Sequence, residues 1–569
     1  MGTASTKSGL KKNRKARARD RAETKSYGNS TGIAAIDNFP NRAWVIGVVG
    51  ILVVAAVLRL YDLNLVPLHH DEGVNGNFLV RLVREGFYRY DPENYHGPTL
   101  YYFSAIIPWI TKVLFGAAAR DNYGLTTFTI RLIPVIFGVG TIGLVFLLRR
   151  NLGSVGTLAA GLMLAVSPGA VYLSRYYIHE SLFVFFTLGI VVAGIRFYEE
   201  RNPWYLIPGA ASLALLLATK ETAMISAGVL IIALAVGLIY VRLYRVIFGQ
   251  TTARRDRSPG GLGTFVREMG GIPTVIGWIV ISLIVFQVIY LLFYSSFLTN
   301  SKGIYDSLQT FAVWTRTGRV AHVHPAYQYL EWLFRQEGTL LFLGMIGAVL
   351  VVVRPKPFFA LFCALWAFGL VAAYSLIPYK TPWLLLNFVV PLALIAGYVL
   401  QAIYELDQGQ LRLVSAILFV IITIATYQSI DLNFVNYDND NPKYVYVYAH
   451  TKRGVLHLMN EIDRIAKEQT GPKTGVTIVS PDYWPLPWYL RNYTRVGYFG
   501  KIAASTEPVI IAREDQKAEI DAGFGEVYEQ VRSKQPEGTF ELRPGVNLIL
   551  YERRNGLAPE LNPPSTSNP

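Results

Sequence analysis

The chain has 569 residues, of which 52% are hydrophobic and only 16% charged. An ordinary soluble domain carries about 25% charged residues, so a disordered chain is excluded and a wholly soluble enzyme is disfavoured. The single cysteine, Cys363, excludes a disulfide framework or a Cys-rich metal site; in its apolar run it reads as a buried thiol. The net charge is +14, and half of it sits in residues 1–42, with ten Lys and Arg against three Asp and Glu. Ahead of a long apolar run, such a tail reads as a retained cytoplasmic anchor under the positive-inside rule rather than as a nucleic-acid-binding arm. No nucleic-acid partner is expected.

The first apolar run is Trp44 to Leu60. A polar stretch with HHDEG follows, then an amphipathic helix over Gly73 to Arg84. Pro98 to Phe115 is apolar and aromatic but is interrupted by Pro108 and Lys112, and is expected to lie in the membrane interface. Further spans are expected at about 127–148, 155–173, 181–197, 204–219, 222–241, 272–296, 338–353, 357–378, 382–403 and 411–429, giving eleven crossings of roughly 30 Å each. With the basic tail inside, Arg149 and Arg150, the Arg-rich 242–270 loop, and Arg354 with Lys356 also fall inside. All eight His residues then fall outside. Residues 431–569 are nearly neutral, with 16 Lys and Arg against 18 Asp and Glu. Strand-like runs there (Tyr444–Tyr448, Gly475–Val479, Pro508–Ala512, Val546–Tyr551) alternate with helical patterns (Lys452–Glu468, Arg513–Ala522).

The expected organisation is therefore a cytoplasmic tail (1–42), a polytopic α-helical membrane domain (43–430), an extracytoplasmic α/β domain (431–555) and a disordered end (556–569). The protein is placed in the plasma membrane with its N-terminus cytoplasmic.

Four polar constellations fall on the outer side. The first is His69-His70-Asp71-Glu72. Taken alone, its acidic pair is equally compatible with a helix start, Asp71 capping and Glu72 at the positive end. The others are Ser174 to Glu180 (SRYYIHE), Ala218 to Thr222 (ATKET) and Pro378 to Trp383 (PYKTPW). Each by itself reads as an interfacial anchor or a snorkelling pair; their gathering on one face points to function. A carboxylate can take a proton from a nucleophile, and Lys and Arg can neutralise a departing phosphate. The set suits displacement of a lipid phosphate from a sugar by a hydroxyl. A flippase or transporter of lipid-linked saccharides is the rival, but it would place polar groups near the bilayer midplane. The aromatic stretch Asp482 to Tyr489 is a packing or membrane-docking patch, or a sugar-stacking surface.

LRLYDLNLVPLHHDEG, YHGPTLYYFSAIIPWITKVLFG and TIRLIPVIFGVGTIGLVFLLRR, in that order, resemble the opening of GT-C membrane glycosyltransferases, and are similar to protein O-mannosyltransferases and aminoarabinose-lipid A transferases. SRYYIHESLF, ATKETA and PYKTPWLLLN resemble the flippase activity-associated proteins of that superfamily. The resemblance covers roughly 44–430. It implies inverting transfer from a polyprenyl-phosphate sugar to a protein, lipid or glycan hydroxyl at the outer membrane face. Asp71 would be the base, and Glu72 would support it or help position the acceptor. His179 and Glu180 would lie near donor phosphate or a metal, and Lys220, Lys380 and Arg175 would bind phosphate, with Arg59 a weaker candidate. His70 and His96 also fall in the substrate region. No cofactor is required by the sequence. His70, Asp71, His179 and Glu180 form a conceivable N/O set for a divalent metal.

Overall fold

Twenty residues at 1.5 Å each cross about 30 Å of hydrocarbon, and the first apolar run does so as helix α1, Asn41–Leu60. The computed structural model describes residues 39–94, 96–116, 124–248, 262–317, 322–355, 357–534 and 538–554. The basic tail, the arginines at 254–257, Lys356 and the C-terminal tail lie outside the described residues. After α1 come α2 (His70–Glu85), α3 (Thr99–Phe115), α4 (Thr127–Phe146), α5 (Ser154–Val166), α6 (Pro168–Ser174), α7 (Glu180–Glu200), α8 (Leu206–Leu217), α9 (Ala223–Ile247), α10 (Ile272–Tyr294), α11 (Lys302–Thr317), α12 (Gln328–Val353), α13 (Phe358–Ser375), α14 (Leu386–Leu406) and α15 (Arg412–Ile430).

Among the described residues, nine helices are long and apolar enough to cross a membrane, or ten if α5 and α6 count as one span bent by 60°. All eleven expected segments are helical, but two depart from a simple span. The segment 155–173 breaks at Pro168, which lacks an N–H and would clash with the preceding turn; Ser167 Oγ restarts the helix by accepting from the Ala170 N–H at 3.1 Å. The segment 204–219 is only a short apolar helix, Pro203–Leu217, roughly 22 Å long at the α-helical rise. Helix α3 is also short and apolar: its first half is buried, while Val113, Leu114 and Phe115 are exposed.

The helices alternate in direction. On one side Asn41 meets Arg149, Asn151 meets Glu199 and Tyr240 meets Val352. On the other side gather the loops bearing the four motifs, and the C-terminal domain. Helix α14 runs through the centre, buried along most of its length.

The C-terminal domain pairs helix α16 (Gly454–Glu468) with strands β1 (Val476–Ile478), β2 (Val496–Tyr498), β3 (Val509–Arg513), β4 (Tyr528–Val531), β5 (Phe540–Arg543) and β6 (Val546–Arg553). The order is β2-β1-β3-β6-β4, with β5 also on β6. β1 is parallel to β2 and β3, while β6 runs antiparallel to β3, β4 and β5. Both sheet faces are covered: Val509 and Ile511 pack with α16, whereas Ile510 and Ala512 pack with Ile520 of α17 (Lys517–Phe524). Expected strands at 475–479, 508–512 and 546–551 are present. Tyr444–Tyr448 is not a strand. Its residues form turns, and Tyr444, Val445 and Tyr446 join Leu432 in the core of the helical domain, so neighbouring side chains are buried together instead of alternating between two faces. The helix expected at Arg513–Ala522 begins later, because β3 continues to Arg513.

Candidate active site

A cavity of about 400 Å³ opens between the motif-bearing loops and the C-terminal domain. All four motifs reach it: His69, His70 and Asp71; His179 and Glu180; Lys220, Glu221 and Thr222; Tyr379 and Trp383. His96 also lines it. Two strand-like pairings hold these loops together. His96 bridges Lys220, reinforced by the Gly97 N–H donating to Thr219 O at 3.1 Å and the Thr99 N–H to Ala218 O at 3.2 Å. Val323 bridges Tyr379, with the Lys380 N–H donating to His322 O at 3.0 Å.

The acidic pair of the first motif divides its labour. His69, not Asp71, caps α2: its Nδ1 accepts from the Asp71 N–H at 3.1 Å, so its Nε2 carries the proton and donates to Tyr448 O at 3.2 Å. The Asp71 carboxylate is thereby released from capping. It remains 43% exposed, with His69 Nδ1 3.9 Å away, and no hydrogen bond to it is found among the described residues. Glu72 is fully buried. Its Oε1 accepts from Arg131 Nε (2.8 Å) and the Tyr177 N–H (2.8 Å), and its Oε2 from the second Arg131 nitrogen (2.6 Å) and the His69 N–H (2.9 Å). Every favourable direction on this carboxylate is occupied. Glu72 is therefore a bolt between α2, α4 and the loop before α7, and not a group open to substrate.

On the opposite wall, Lys220 Nζ donates to Glu180 Oε1 at 2.6 Å. Burial alone would lower the Lys220 pKa, but the charges of Glu180 and Glu221 outweigh it and hold the ammonium above its ordinary range. His96 Nδ1 lies 3.1 Å from Glu221 Oε2. His179 Nε2 donates to Gly97 O at 3.1 Å; burial, then the neighbouring His96 and Lys220, push its pKa well below the ordinary value, leaving a neutral ring. Burial likewise lowers that of His70.

The cavity does not receive three of the expected phosphate ligands. Arg59 is buried within the helices, donating to Ser174 Oγ (3.2 Å) and to the Ala55, Ala165 and Leu164 carbonyls. Arg175 instead caps the C-terminal end of α1 through the carbonyls of Leu58, Arg59, Tyr61 and Asp62. Lys380 is buried behind the fourth motif, its ammonium held by Ile377 O at 2.5 Å and His324 O at 3.4 Å; burial lowers its pKa. Nor does the conceived metal set assemble. Among the described residues no three His, Cys, Asp or Glu side chains are grouped to hold an ion; Glu180 Oε1 accepts from Lys220, and His179 Nε2 donates to Gly97 O.

Arg131 lies outside the four motifs, though a charge inside the apolar TIRLIPV run is itself a signal. Glu93, Asn94, Tyr448 and Arg543, also outside those motifs, line the cavity as well. Arg543 arrives from β5, far along the chain, and nothing local marks it.

A family model described as dolichyl-phosphate-mannose-protein mannosyltransferase matches residues 106–254. No curated protein sequence matches the chain. Among solved structures, ArnT from Cupriavidus metallidurans in the apo state is similar at 13% identity, over 90% of this chain and 98% of that one, with a TM-score of 0.56. The chain shares the fold of that ArnT structure. The same ArnT bound to undecaprenyl phosphate aligns at 13% identity over 89% and 98% of the two chains, with a TM-score of 0.53. The archaeal oligosaccharyltransferase AglB from Archaeoglobus fulgidus aligns at 14% identity over 91% and 75%, with a TM-score of 0.48.

Proposed function

We propose that this protein is a glycosyltransferase that moves a sugar from a polyprenyl-phosphate donor to a hydroxyl acceptor at the outer membrane face. One observation carries the reading: the half-exposed Asp71 carboxylate and the charged Lys220 ammonium line the same cavity. In the step proposed, Asp71 Oδ takes the proton of the acceptor hydroxyl as its oxygen bonds to the anomeric carbon. The bond from that carbon to the phosphate oxygen breaks, and polyprenyl phosphate leaves with the electron pair. Attack from the face opposite the phosphate inverts the anomeric centre. Lys220 stabilises the developing phosphate charge, while Glu180 and Glu221 keep the ammonium protonated and oriented. His179, held neutral, adds hydrogen bonding without adding charge. The similarity to ArnT, one of whose structures holds undecaprenyl phosphate, supports a polyprenyl-phosphate donor, and the partial match to the mannosyltransferase model supports sugar transfer.

The test is purified protein in liposomes with a panel of radiolabelled polyprenyl-phosphate sugars, following both sugar loss from the lipid and lipid movement between leaflets. Sugar loss by the wild type, abolished in Asp71→Asn with donor binding retained, is the expected outcome. Full turnover in that variant removes Asp71 from the role. Leaflet exchange with the sugar–phosphate bond intact replaces the transferase reading with a flippase.

A further inference from the structure

We infer that the C-terminal domain carries a saccharide-binding subsite continuous with the cavity, and that the acceptor is accordingly a glycan chain. This deepens, and rests on, the glycosyltransferase reading above. The aromatic stretch after Asp482 splits in two. Leu486 and Trp488 are buried, Trp488 within the core that also contains Leu79 and Leu82 of α2, whereas Tyr483 and Trp484 remain partly exposed. These two continue a row of rings that begins in the cavity: His70 to Trp484 at 6.0 Å, Trp484 to Tyr483 at 5.7 Å, and Tyr483 to Tyr498 at 5.2 Å between centroids. Tyr498 and the following Phe499 are 38% and 51% exposed, at the end of β2, the edge strand of the sheet.

A row of aromatic rings joined to a polar cavity at one end and open to solvent at the other is more than scattered surface apolarity. Ring faces offer flat apolar platforms that match the C–H faces of pyranose rings, and Tyr and Trp add a polar edge. Sugar hydroxyls also need fixed polar partners beside the platform. A fixed ionic cluster lies beside the rings: Asp482 Oδ1 accepts from Arg543 at 2.6 Å, its Oδ2 accepts from Arg513 at 2.9 Å, and Arg513 Nε donates to Asp515 at 2.7 Å. Arg543 reaches the cavity lining. The two guanidinium groups and the carboxylate hold one another in place, so little side-chain entropy is lost when a hydroxyl replaces water. Such a track suits a chain of sugars whose terminal hydroxyl enters beside Asp71. It does not suit a single small alcohol, which would leave the outer rings without a role.

The experiment uses the full-length protein in nanodiscs and saturation-transfer NMR with malto- and manno-oligosaccharides of one to six sugars. A Thr-containing extended peptide serves as comparison. The variants are Tyr483→Ala with Tyr498→Ala, and Tyr483→Phe with Tyr498→Phe. Oligosaccharide binding that tightens with chain length, weakens by about tenfold or more in the Ala pair and survives in the Phe pair is expected. Donor hydrolysis, in which water stands in for the acceptor hydroxyl, should be unchanged in both pairs. The subsite is overturned if the oligosaccharides do not bind wild type, if the Ala pair binds them equally well, or if the peptide alone binds. Those results leave Asp71-dependent sugar loss standing, whereas absence of that loss strikes the transferase reading itself.

Discussion

Adjacent carboxylates in one motif have opposite fates because of their backbone positions. Asp71 faces the cavity with its charge unengaged by hydrogen bonds among the described residues, while Glu72, one residue on, turns into the protein and pairs with Arg131. Removing one partner of a buried ion pair strands the other charge, at a cost of about 3–5 kcal/mol. Glu72→Ala should therefore lower the melting temperature sharply and reduce activity in proportion to lost folded protein. Asp71→Asn should melt like wild type and lose turnover. Thermal melts of the detergent-solubilised variants separate the two. The histidines add a pH dependence. Folded His179 and His70 have pKa values below the ordinary 6.5, so the unfolded chain takes up more protons as the medium becomes acidic. Their contribution to stability is complete above about pH 6.5 and is lost as pH falls below it. A melting temperature that drops between pH 7.5 and 5, and drops less in His179→Gln, is the expected outcome.

At the scale of elements, one close joint between the two domains is a glycine-bearing face of α2. A Cβ at Gly73 would stand 2.5 Å from Pro485 Cβ, and one at Gly76 would stand 2.6 Å from the Trp488 ring. Glycine is required there because the C-terminal domain packs directly on the helix backbone. Gly76→Leu should cost about 1–3 kcal/mol of overpacking and loosen the domain, read as faster protease cleavage between residues 436 and 454. The spans were legible because a bilayer forces long apolar runs, and the sheet's inner strands were legible as Val and Ile runs. Strands β2, β4 and β5 were not, because VGY, YEQV and FELR break the Val and Ile pattern with glycine or with polar and charged residues. The motifs announced the cavity by their polarity in apolar surroundings. Which cations enter it was not legible: Arg59, Arg175 and Lys220 look alike in sequence, and only their distant partners, carbonyls for the first two and Glu180 for the third, distinguish them.

For the whole molecule, charge sets the orientation in the membrane. The cavity and the C-terminal domain lie on one side of the helical bundle, and the Arg149-Arg150 turn on the other, so a single determination fixes every loop. Lys and Arg accumulate at cytoplasmic ends of spans, and the described basic residues Arg149, Arg150, Arg242, Arg245, Arg267 and Arg354 all lie opposite the cavity. The polyprenyl-phosphate donor and the acceptor would then meet outside the cytoplasm. The sole cysteine, Cys363, is buried, which leaves a low background for thiol labelling. Lys473→Cys in the C-terminal domain and Gln410→Cys between α14 and α15 both alter exposed positions. In intact cells, a membrane-impermeant maleimide should label the first variant and spare the second until the membrane is permeabilised. The reverse pattern would move the cavity to the cytoplasmic face, where a donor sugar would be attacked before it had crossed the membrane.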